Sequence, residues 1–385
     1  MIKLAFLCTL DPMNRANFSG TLFYMQRALS ARNDIELTIL GEDFYRKKRR
    51  PSTSRKIIRK MLALIPGTRE RLLRRDQTLH LRSIRKDIQD GNHDCIIAPV
   101  ASQLVADLPQ SVIANTPIVF VTDATPSFIV QEYGWTIGDQ AITKEAFCIE
   151  RSQKVIYSSA YMAERAKMEF SMQLAGIEDK IDVVPFGLNL DALPSVPSAK
   201  NLDGKIELLF VARFWERKGG NIAVDCMNTL ADMGIDAHLT IVGIEPPEAV
   251  PTNVSVIPFL NKNSAADQQH YVQLLENAHF LILPTQADCT PMVIAEANAY
   301  GVPVLTTNVG GIPSLVENGA NGFMFEPQAA GSLYAEKIAS IRHSAEHYLD
   351  LSRKSRGQFD KRLNWEAWAG AMSMIFHEIS GRDAS

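Results

Sequence analysis

The sequence predicts an α/β protein of two doubly wound domains, each a parallel sheet covered by helices on both faces, that face each other across a cleft. Short apolar runs alternate with segments of helical length, and this alternation stops and restarts at a segment rich in proline, serine and lysine, 194–204. The length of 385 residues agrees with more than one domain, because a single core stops growing near about 250–300 residues. We expect domains at 1–193 and 194–364, with ligands at the carboxyl ends of the strands.

The first half contains six apolar runs typical of buried strands, and a predicted helix, 21–32, follows the loop that ends in Ser19 and Gly20. The six strands are expected at 3–8, 36–40, 95–98, 118–121, 155–157 and 181–186. The second half repeats the pattern, with strands expected at 208–212, 238–242, 254–257, 280–283 and 304–306. Its helices are expected at 219–233, 268–277 and 292–300.

Composition excludes several classes of protein. With 46% hydrophobic and 22% charged residues, the chain is an ordinary globular one and not a disordered or fibrous one. The apolar run 2–10 is too short for a membrane span, contains Lys3 and lacks a cleavage site, so it does not resemble a secretory signal. The five cysteines are scattered without CxxC spacing, which argues against a disulfide scaffold or a zinc knuckle. We therefore expect a cytoplasmic protein.

The charge distribution is uneven, although the net charge is only −3. Residues 46–86 contain 16 lysines and arginines and only two acids, Glu70 and Asp76. Within them, 55–65 predicts a helix with one apolar and one basic face, ended by Pro66 and Gly67. Such a helix either lies on an anionic membrane surface or packs its apolar stripe on its own domain. Aromatic residues do not interleave with these bases, so we expect no nucleic-acid partner.

The segment 284–303 predicts a helix start at the end of a buried strand. Thr290 suits the N-cap and Pro291 the first helical position, where its missing N–H costs nothing. The free N–H groups of Met292 and Val293 would then point into the cleft at the positive end of the helix. This arrangement is suited to binding a phosphate group.

Two acidic residues flank this helix start. Glu296 lies farther along the helix, where its carboxylate suits a pair of sugar hydroxyls better than a phosphate. Asp288 precedes the cap and can reach hydroxyls of a second sugar. The pattern indicates a ligand that contains both sugars and phosphate.

Two cations follow another predicted strand of the same domain. Arg213 comes just after the strand 208–212, and Lys218 precedes the next helix. Arginine as a planar fork and lysine as a point charge would together neutralise a diphosphate. In the first domain, Gly20 would let the backbone approach the same ligand across the cleft.

These motifs resemble the retaining glycosyltransferases of glycosyltransferase family 4, which have the GT-B fold of two Rossmann-like domains. The resemblance rests on the segment 210–219 (FVARFWERKG), on 239–243 (LTIVG), on the pair Asp288 and Glu296, and on 301–304 (GVPV) with Gly310 and Gly311. It is looser in the first half, through 19–21 and 183–187. The tail 364–366 resembles the start of the last family helix, so the helix 365–385 is expected to pack back on the N-terminal domain.

The resemblance implies transfer of a hexose from a nucleoside-diphosphate sugar with retention of anomeric configuration. Arg213 and Lys218 would hold the diphosphate, Glu296 the ribose hydroxyls, and Asp288 the donor hexose. The Gly20 backbone would approach the phosphates. The donor is a co-substrate, and no separate cofactor is expected.

The chain departs from the family pattern at three places. Asp288 stands where glutamate is usual, and Thr290 with Pro291 replaces Phe-Gly. Many members have a histidine near the reacting carbon, and Asp123 is the candidate for that position here, its structural alternative being a turn or a helix cap. No D-x-D motif occurs, so a metal ion at the diphosphate is not indicated.

The expected acceptor is a lipid-linked or polysaccharide intermediate, bound at the inner face of a membrane if 46–86 meets lipid. No pair of acids suggests a double displacement, so we favour a front-face path. Two other functions stay open, a nucleotide-sugar epimerase on a similar scaffold and a non-catalytic protein that binds sugar nucleotides. A nicotinamide dehydrogenase is disfavoured, because the loop 9–20 lacks the pattern G-x-G-x-x-G.

Overall fold

The computed structural model describes residues 1–49, 68–114, 116–191, 200–261 and 263–382. The N-terminal unit is built on a six-stranded sheet with the order β2-β1-β3-β4-β5-β6, in which all neighbours are parallel. Its strands are β1 (Ile2–Phe6), β2 (Ile35–Ile39), β3 (Cys95–Pro99), β4 (Ile118–Thr122), β5 (Lys154–Tyr157) and β6 (Ile181–Val183).

The C-terminal unit contains a second parallel sheet of six strands, in the order β12-β11-β10-β7-β8-β9. Its strands are β7 (Ile206–Val211), β8 (Ala237–Val242), β9 (Val254–Ile257), β10 (Phe280–Leu283), β11 (Val304–Thr307) and β12 (Gly322–Phe325). The predicted pair of doubly wound sheets is confirmed. The edge strand β12 was missed, because only its first residue is buried and it lacks a run of buried apolar side chains.

Helices cover both sheets. In the N-terminal unit they are α1 (Thr21–Ser30), α2 (Glu42–Arg49), α3 (Thr68–Asp90), α4 (Ser102–Asp107), α5 (Gln110–Ile113), α6 (Pro126–Tyr133), α7 (Ala141–Arg151) and α8 (Ala160–Phe170). In the C-terminal unit they are α9 (Trp215–Lys218), α10 (Gly220–Asp232), α11 (Ala265–Asn277), α12 (Met292–Ala299), α13 (Gly331–Arg342) and α14 (Ala345–Arg362). A last helix, α15 (Trp365–Ser380), follows.

Helix α15 packs on the N-terminal unit, as predicted. Trp368, Met372 and Phe376 are buried in the same core as β1 and α1. The Trp365 indole N–H donates to Asn189 Oδ1 at 3.1 Å, and a Cβ on Gly187 would lie 2.3 Å from the Trp365 backbone nitrogen. The chain therefore passes between the units twice, at neighbouring places.

The described residues include the basic segment at 46–49 and 68–86. The predicted amphipathic helix 55–65 and the predicted boundary between 193 and 194 lie outside the described residues. The basic residues 46–49 end helix α2, and helix α3 carries those from 69 to 86 and buries Ile84 and Ile88 in the N-terminal core. Of the helices in the described part of the chain, not one has the length and apolar character needed to cross a bilayer.

Candidate functional site

The loops after β7 and β10 bring Lys218 and Asp288 together as an ion pair. Both side chains are largely buried, with 13% of Lys218 and 7% of Asp288 exposed. A buried charge is costly unless it is paired, so each side chain stabilises the other in this position. The sequence placed these residues on one sheet edge, and the structure brings them into direct contact.

The loop that carries Asp288 is held by Arg217, a residue that sequence reasoning missed. Its guanidinium donates to the Ala287 carbonyl at 2.8 Å, and its own carbonyl accepts from the Gln286 N–H at 2.7 Å and the Thr285 hydroxyl at 3.0 Å. The one available signal was its position beside Lys218 in the run of charges that forms α9. These bonds fix the loop from within the C-terminal unit.

Gly310 and Gly311, which follow β11, pack against the loop that contains Asp288. The Gly311 N–H donates to the Asp288 carbonyl at 3.0 Å. A Cβ on Gly310 would lie 2.1 Å from the Asp288 carbonyl oxygen, and one on Gly311 would lie 1.7 Å from that of Cys289. Such distances are far below van der Waals contact, so this pair of glycines allows the two loops to touch.

The helix predicted at 292–300 begins at Met292 as expected, but the predicted N-cap, Thr290, was wrong by one residue. Pro291 is the N-cap, with φ −70° and ψ 101°, and the helix begins at Met292. Thr290 does not cap the helix because its hydroxyl bonds instead to the Ser158 hydroxyl, which follows β5 across the cleft. Met292 and Val293 are half-buried in the first turn, where N–H groups have no acceptor within the helix.

Glu296 is completely buried inside the C-terminal unit. Its Oε2 accepts a hydrogen bond of 2.7 Å from the Tyr271 hydroxyl on α11. Burial beside this carboxylate raises the pKa of Tyr271 well above its usual range, so the phenol stays a donor. The side chain of Arg213, by contrast, is exposed to solvent just after the end of β7.

The N-terminal side of the cleft contains strained backbone. Gly20 has φ 92° and precedes α1, and the two residues before it, Phe18 and Ser19, also have positive φ, at 47° and 55°. Val100, directly after β3, has φ 44°. Side chains disfavour this region, so strain collects at the carboxyl ends of two strands, where ligands of such sheets bind.

Asp123 follows β4 and is half-buried. Burial, together with a smaller contribution from the negative charge of Asp288, raises the pKa of its carboxyl to about 6. The structure therefore brings Asp123 within electrostatic range of the C-terminal site. A carboxyl with a pKa near neutrality is suited to acid–base or electrostatic roles.

Tyr133 reaches across the cleft from the end of α6 and was also missed. Its hydroxyl oxygen accepts from the Cys289 N–H at 3.1 Å and lies 2.9 Å from Cys289 Sγ. The Arg217 guanidinium lies 4.1 Å from the centre of its ring. Only the fold could have shown this contact, because 156 positions separate Tyr133 from Cys289.

Comparison with known proteins agrees with this geometry. Residues 205–343 match the family model described as glycosyl transferases group 1. An uncharacterized glycosyltransferase of Methanocaldococcus jannaschii is 27% identical over 179 residues, which cover 45% of this chain and 48% of that protein. Glycogen synthase of Mycobacterium tuberculosis is 24% identical over 302 residues, 77% of this chain and 69% of the synthase.

Solved structures share the fold over almost the whole chain. Sucrose-phosphate synthase from Thermosynechococcus elongatus has a TM-score of 0.68 at 18% identity, covering 99% of this chain and all of that one. HepE from Anabaena, solved in complex with UDP-glucose, has a TM-score of 0.62 at 16% identity, covering 98% of this chain and all of that one. The chain thus has the GT-B fold, and its residues 205–343 are similar to the glycosyl transferases of group 1.

Proposed function

We propose that the protein transfers a hexose from a nucleoside-diphosphate sugar to a lipid-linked or polysaccharide acceptor, with retention of anomeric configuration, as in family 4. The observation that carries this proposal is the buried pair of Lys218 and Asp288 beside the start of α12. The pair offers a cation for a diphosphate and a carboxylate for sugar hydroxyls at one place. The UDP-glucose bound by HepE supports the same donor class.

The donor diphosphate would replace Asp288 as the partner of Lys218. Arg213, which is exposed at the end of β7, would add a second cation, and the N–H groups of Met292 and Val293 would complete the anion site. Thr290 would keep the start of this helix in place through its bond to Ser158. From the other unit, the Gly20 backbone would approach the phosphates.

The carboxylates would bind the two sugars of the donor. Asp288, released from Lys218, would accept hydrogen bonds from the hexose hydroxyls. Glu296 would accept bonds from the ribose hydroxyls, with its other side oriented by Tyr271. Because Glu296 is buried, the ribose would have to enter between α11 and α12.

Transfer breaks the bond between the anomeric carbon and the leaving phosphate oxygen, and the electron pair goes to the diphosphate. Negative charge develops on that phosphate, so the largest contribution comes from preorganised cations and N–H groups around it. On the front-face path, the acceptor hydroxyl attacks from the same side and its proton passes to the leaving phosphate oxygen. The ionised Asp123 carboxylate would stabilise positive charge on the ring.

A panel of sugar nucleotides tests this function. We expect one of them to raise the melting temperature and, with an acceptor extract, to yield a glycoside whose anomeric configuration by NMR matches the donor. Isomerised sugar from labelled donor alone would favour the epimerase, and binding without turnover would favour the non-catalytic protein. Absence of binding to every donor would reject the proposal.

We further propose that residues 46–86 bring the protein to an anionic membrane surface on the cytoplasmic side. Support comes from the number of bases in this segment and from five free, buried cysteines, which suit a reducing compartment. Flotation with anionic vesicles should succeed and flotation with neutral vesicles should fail. Equal behaviour in both would favour packing of this segment on its own domain.

A further inference from the structure

We propose that Tyr133 is a positioning residue, which holds the Asp288 loop in place from the opposite unit. The contacts of Tyr133 do not depend on the proposed function, whereas their effect on catalysis rests on it. Two sets of contacts support the role: the hydrogen bonds between Tyr133 and Cys289, and the ion pair between Asp288 and Lys218.

The hydrogen bond from the Cys289 N–H reaches the peptide that directly follows Asp288. Fixing this peptide fixes the Cα atom of Asp288, while the carboxylate stays able to rotate. Asp288 needs this freedom, because a donor diphosphate takes over Lys218 and the carboxylate must then turn from that cation to the sugar. Tyr133 therefore keeps the backbone in place while the side chain changes partner.

The same side chain is part of a cluster of three aromatic rings and one guanidinium that crosses the cleft. Arg217 lies 4.1 Å from the ring of Tyr133 and 5.0 Å from that of Phe214. Trp135 lies 5.4 Å from Tyr133 and 6.1 Å from Phe214, measured between ring centres. Tyr133 and Trp135 belong to one unit, and Arg217 and Phe214 to the other.

Separation of the units would break this cluster and the bonds to Cys289 together. Trp135 and Phe214 are about half exposed, so their contact can form and break at low cost in solvation. The Asp288 loop is consequently held from both sides only when the cleft is closed. Closure of the cleft and the correct position of Asp288 are thereby coupled.

Tyr133 also stays a neutral hydrogen-bonding group. Burial raises the pKa of its phenol well above the usual range, and the nearby Asp288 carboxylate raises it further. A phenolate would repel Asp288, whereas the neutral hydroxyl can bond both to the Cys289 N–H and to its sulfur. This charge state supports the positioning role across the physiological pH range.

Hydrogen–deuterium exchange of the full-length protein tests the contact without any ligand. In Tyr133→Phe, we expect the peptide that covers 285–291 to exchange up to about tenfold faster, as one lost hydrogen bond implies. The strand β10 and the melting temperature should change little. The control is Tyr161→Phe, because the Tyr161 hydroxyl contacts Arg165 at 3.5 Å, outside the site.

Kinetics with UDP-glucose then tests the catalytic consequence. We expect Tyr133→Phe to lower kcat about tenfold with less than about a twofold change in KM, since Arg213 and Lys218 still bind the diphosphate. Tyr161→Phe should match the wild type in both constants.

Three outcomes would overturn the proposal or separate it from the proposed function. Wild-type exchange at 285–291 in Tyr133→Phe would overturn the positioning role, as would a higher KM with unchanged kcat. If the wild type turned over neither UDP-glucose nor another sugar nucleotide, the proposed function would fail, and the exchange measurement alone would decide the role of Tyr133.

Discussion

The two units facing the cleft share one sheet architecture but build their strand-end loops differently. In the described residues of the C-terminal unit, every residue with positive φ is a glycine, and two of these glycines, Gly219 and Gly310, lie directly against the loop that contains Asp288. In the N-terminal unit, Phe18, Ser19 and Val100 adopt positive φ although they carry side chains. The C-terminal side is thus packed tightly without strain, whereas the N-terminal side stores strain.

Charge differs between the two sides as well. The C-terminal unit holds Lys218 and Asp288 as a buried ion pair, whereas the N-terminal unit presents Asp123, a half-buried carboxyl with a pKa raised to about 6. In the first arrangement, an anionic ligand can replace Asp288 as the partner of Lys218. The second responds to pH. We therefore expect the C-terminal side to bind the donor and the charge of the N-terminal side to change with pH.

The largest effect is expected for Lys218→Ala, which tests the buried ion pair of the C-terminal unit. We expect turnover to fall about 10²- to 10³-fold, because a cation at the leaving phosphate is lost, while circular dichroism shows an intact fold. Lys144, a half-buried lysine paired with Asp107 away from the site, provides the control in Lys144→Ala. Turnover at the wild-type rate in Lys218→Ala would remove this cation from the mechanism.

Two glycines of the C-terminal unit test whether close packing there contributes to stability. Their φ angles are similar, 76° at Gly219 and 71° at Gly234. A Cβ on Gly219 would lie 2.0 Å from the Pro284 carbonyl oxygen, whereas Gly234 faces open space. We expect Gly219→Ala to lower the free energy of unfolding by about 3–5 kcal/mol and Gly234→Ala by about 1–2 kcal/mol. Denaturant unfolding measures both, and equal losses would show that close packing is not needed there.

Asp123→Asn tests whether the raised pKa of Asp123 makes the free energy of unfolding depend on pH. Because the native pKa of about 6 exceeds the unfolded value near 3.9, the native state binds more protons, and Asp123 destabilises the fold increasingly as pH rises through this window. We expect Asn to raise the free energy of unfolding at pH 7 by about 1–2 kcal/mol, with the gain vanishing below about pH 4.

The same variant tests the catalytic part of Asp123. If its ionised carboxylate stabilises the reacting ring, the wild-type rate should rise with pH through about 6, and Asp123→Asn should lack this inflection and turn over more slowly. A variant that keeps both the inflection and the rate would return Asp123 to a purely structural role.

The smallest expected effect concerns the strained loop. Ser19→Gly should remove the strain that a side chain causes at φ 55°. Glycine also gives the unfolded chain more conformational entropy, which offsets part of this gain. We therefore expect a net stabilisation of about 0.5–1 kcal/mol. Thermal unfolding measures it, with Ser171→Gly as the control, because Ser171 has φ −57° and should lose stability on the same change. Loss of stability in Ser19→Gly would mean that the loop is not strained.

The sequence predicted most strands and the main site loops because buried parallel strands are continuous apolar runs and strand ends share one sheet edge. It could not show that Lys218 and Asp288 pair, since burial decides which opposite charges meet. Thr290 was assigned to the wrong partner, because a cap and a cross-cleft bond use the same hydroxyl. Tyr133 carried no local signal at all, since its contact depends on how the two units dock.

The paired crossings near Asn189 and Trp365 have a consequence for motion. Two neighbouring connections, joined by a hydrogen bond and by the close contact at Gly187, leave the units little freedom to twist or slide. We therefore expect the remaining movement to be a hinge whose axis runs beside these connections. Because such a hinge has one main degree of freedom, a single pair of spin labels across the cleft mouth would report the complete opening angle.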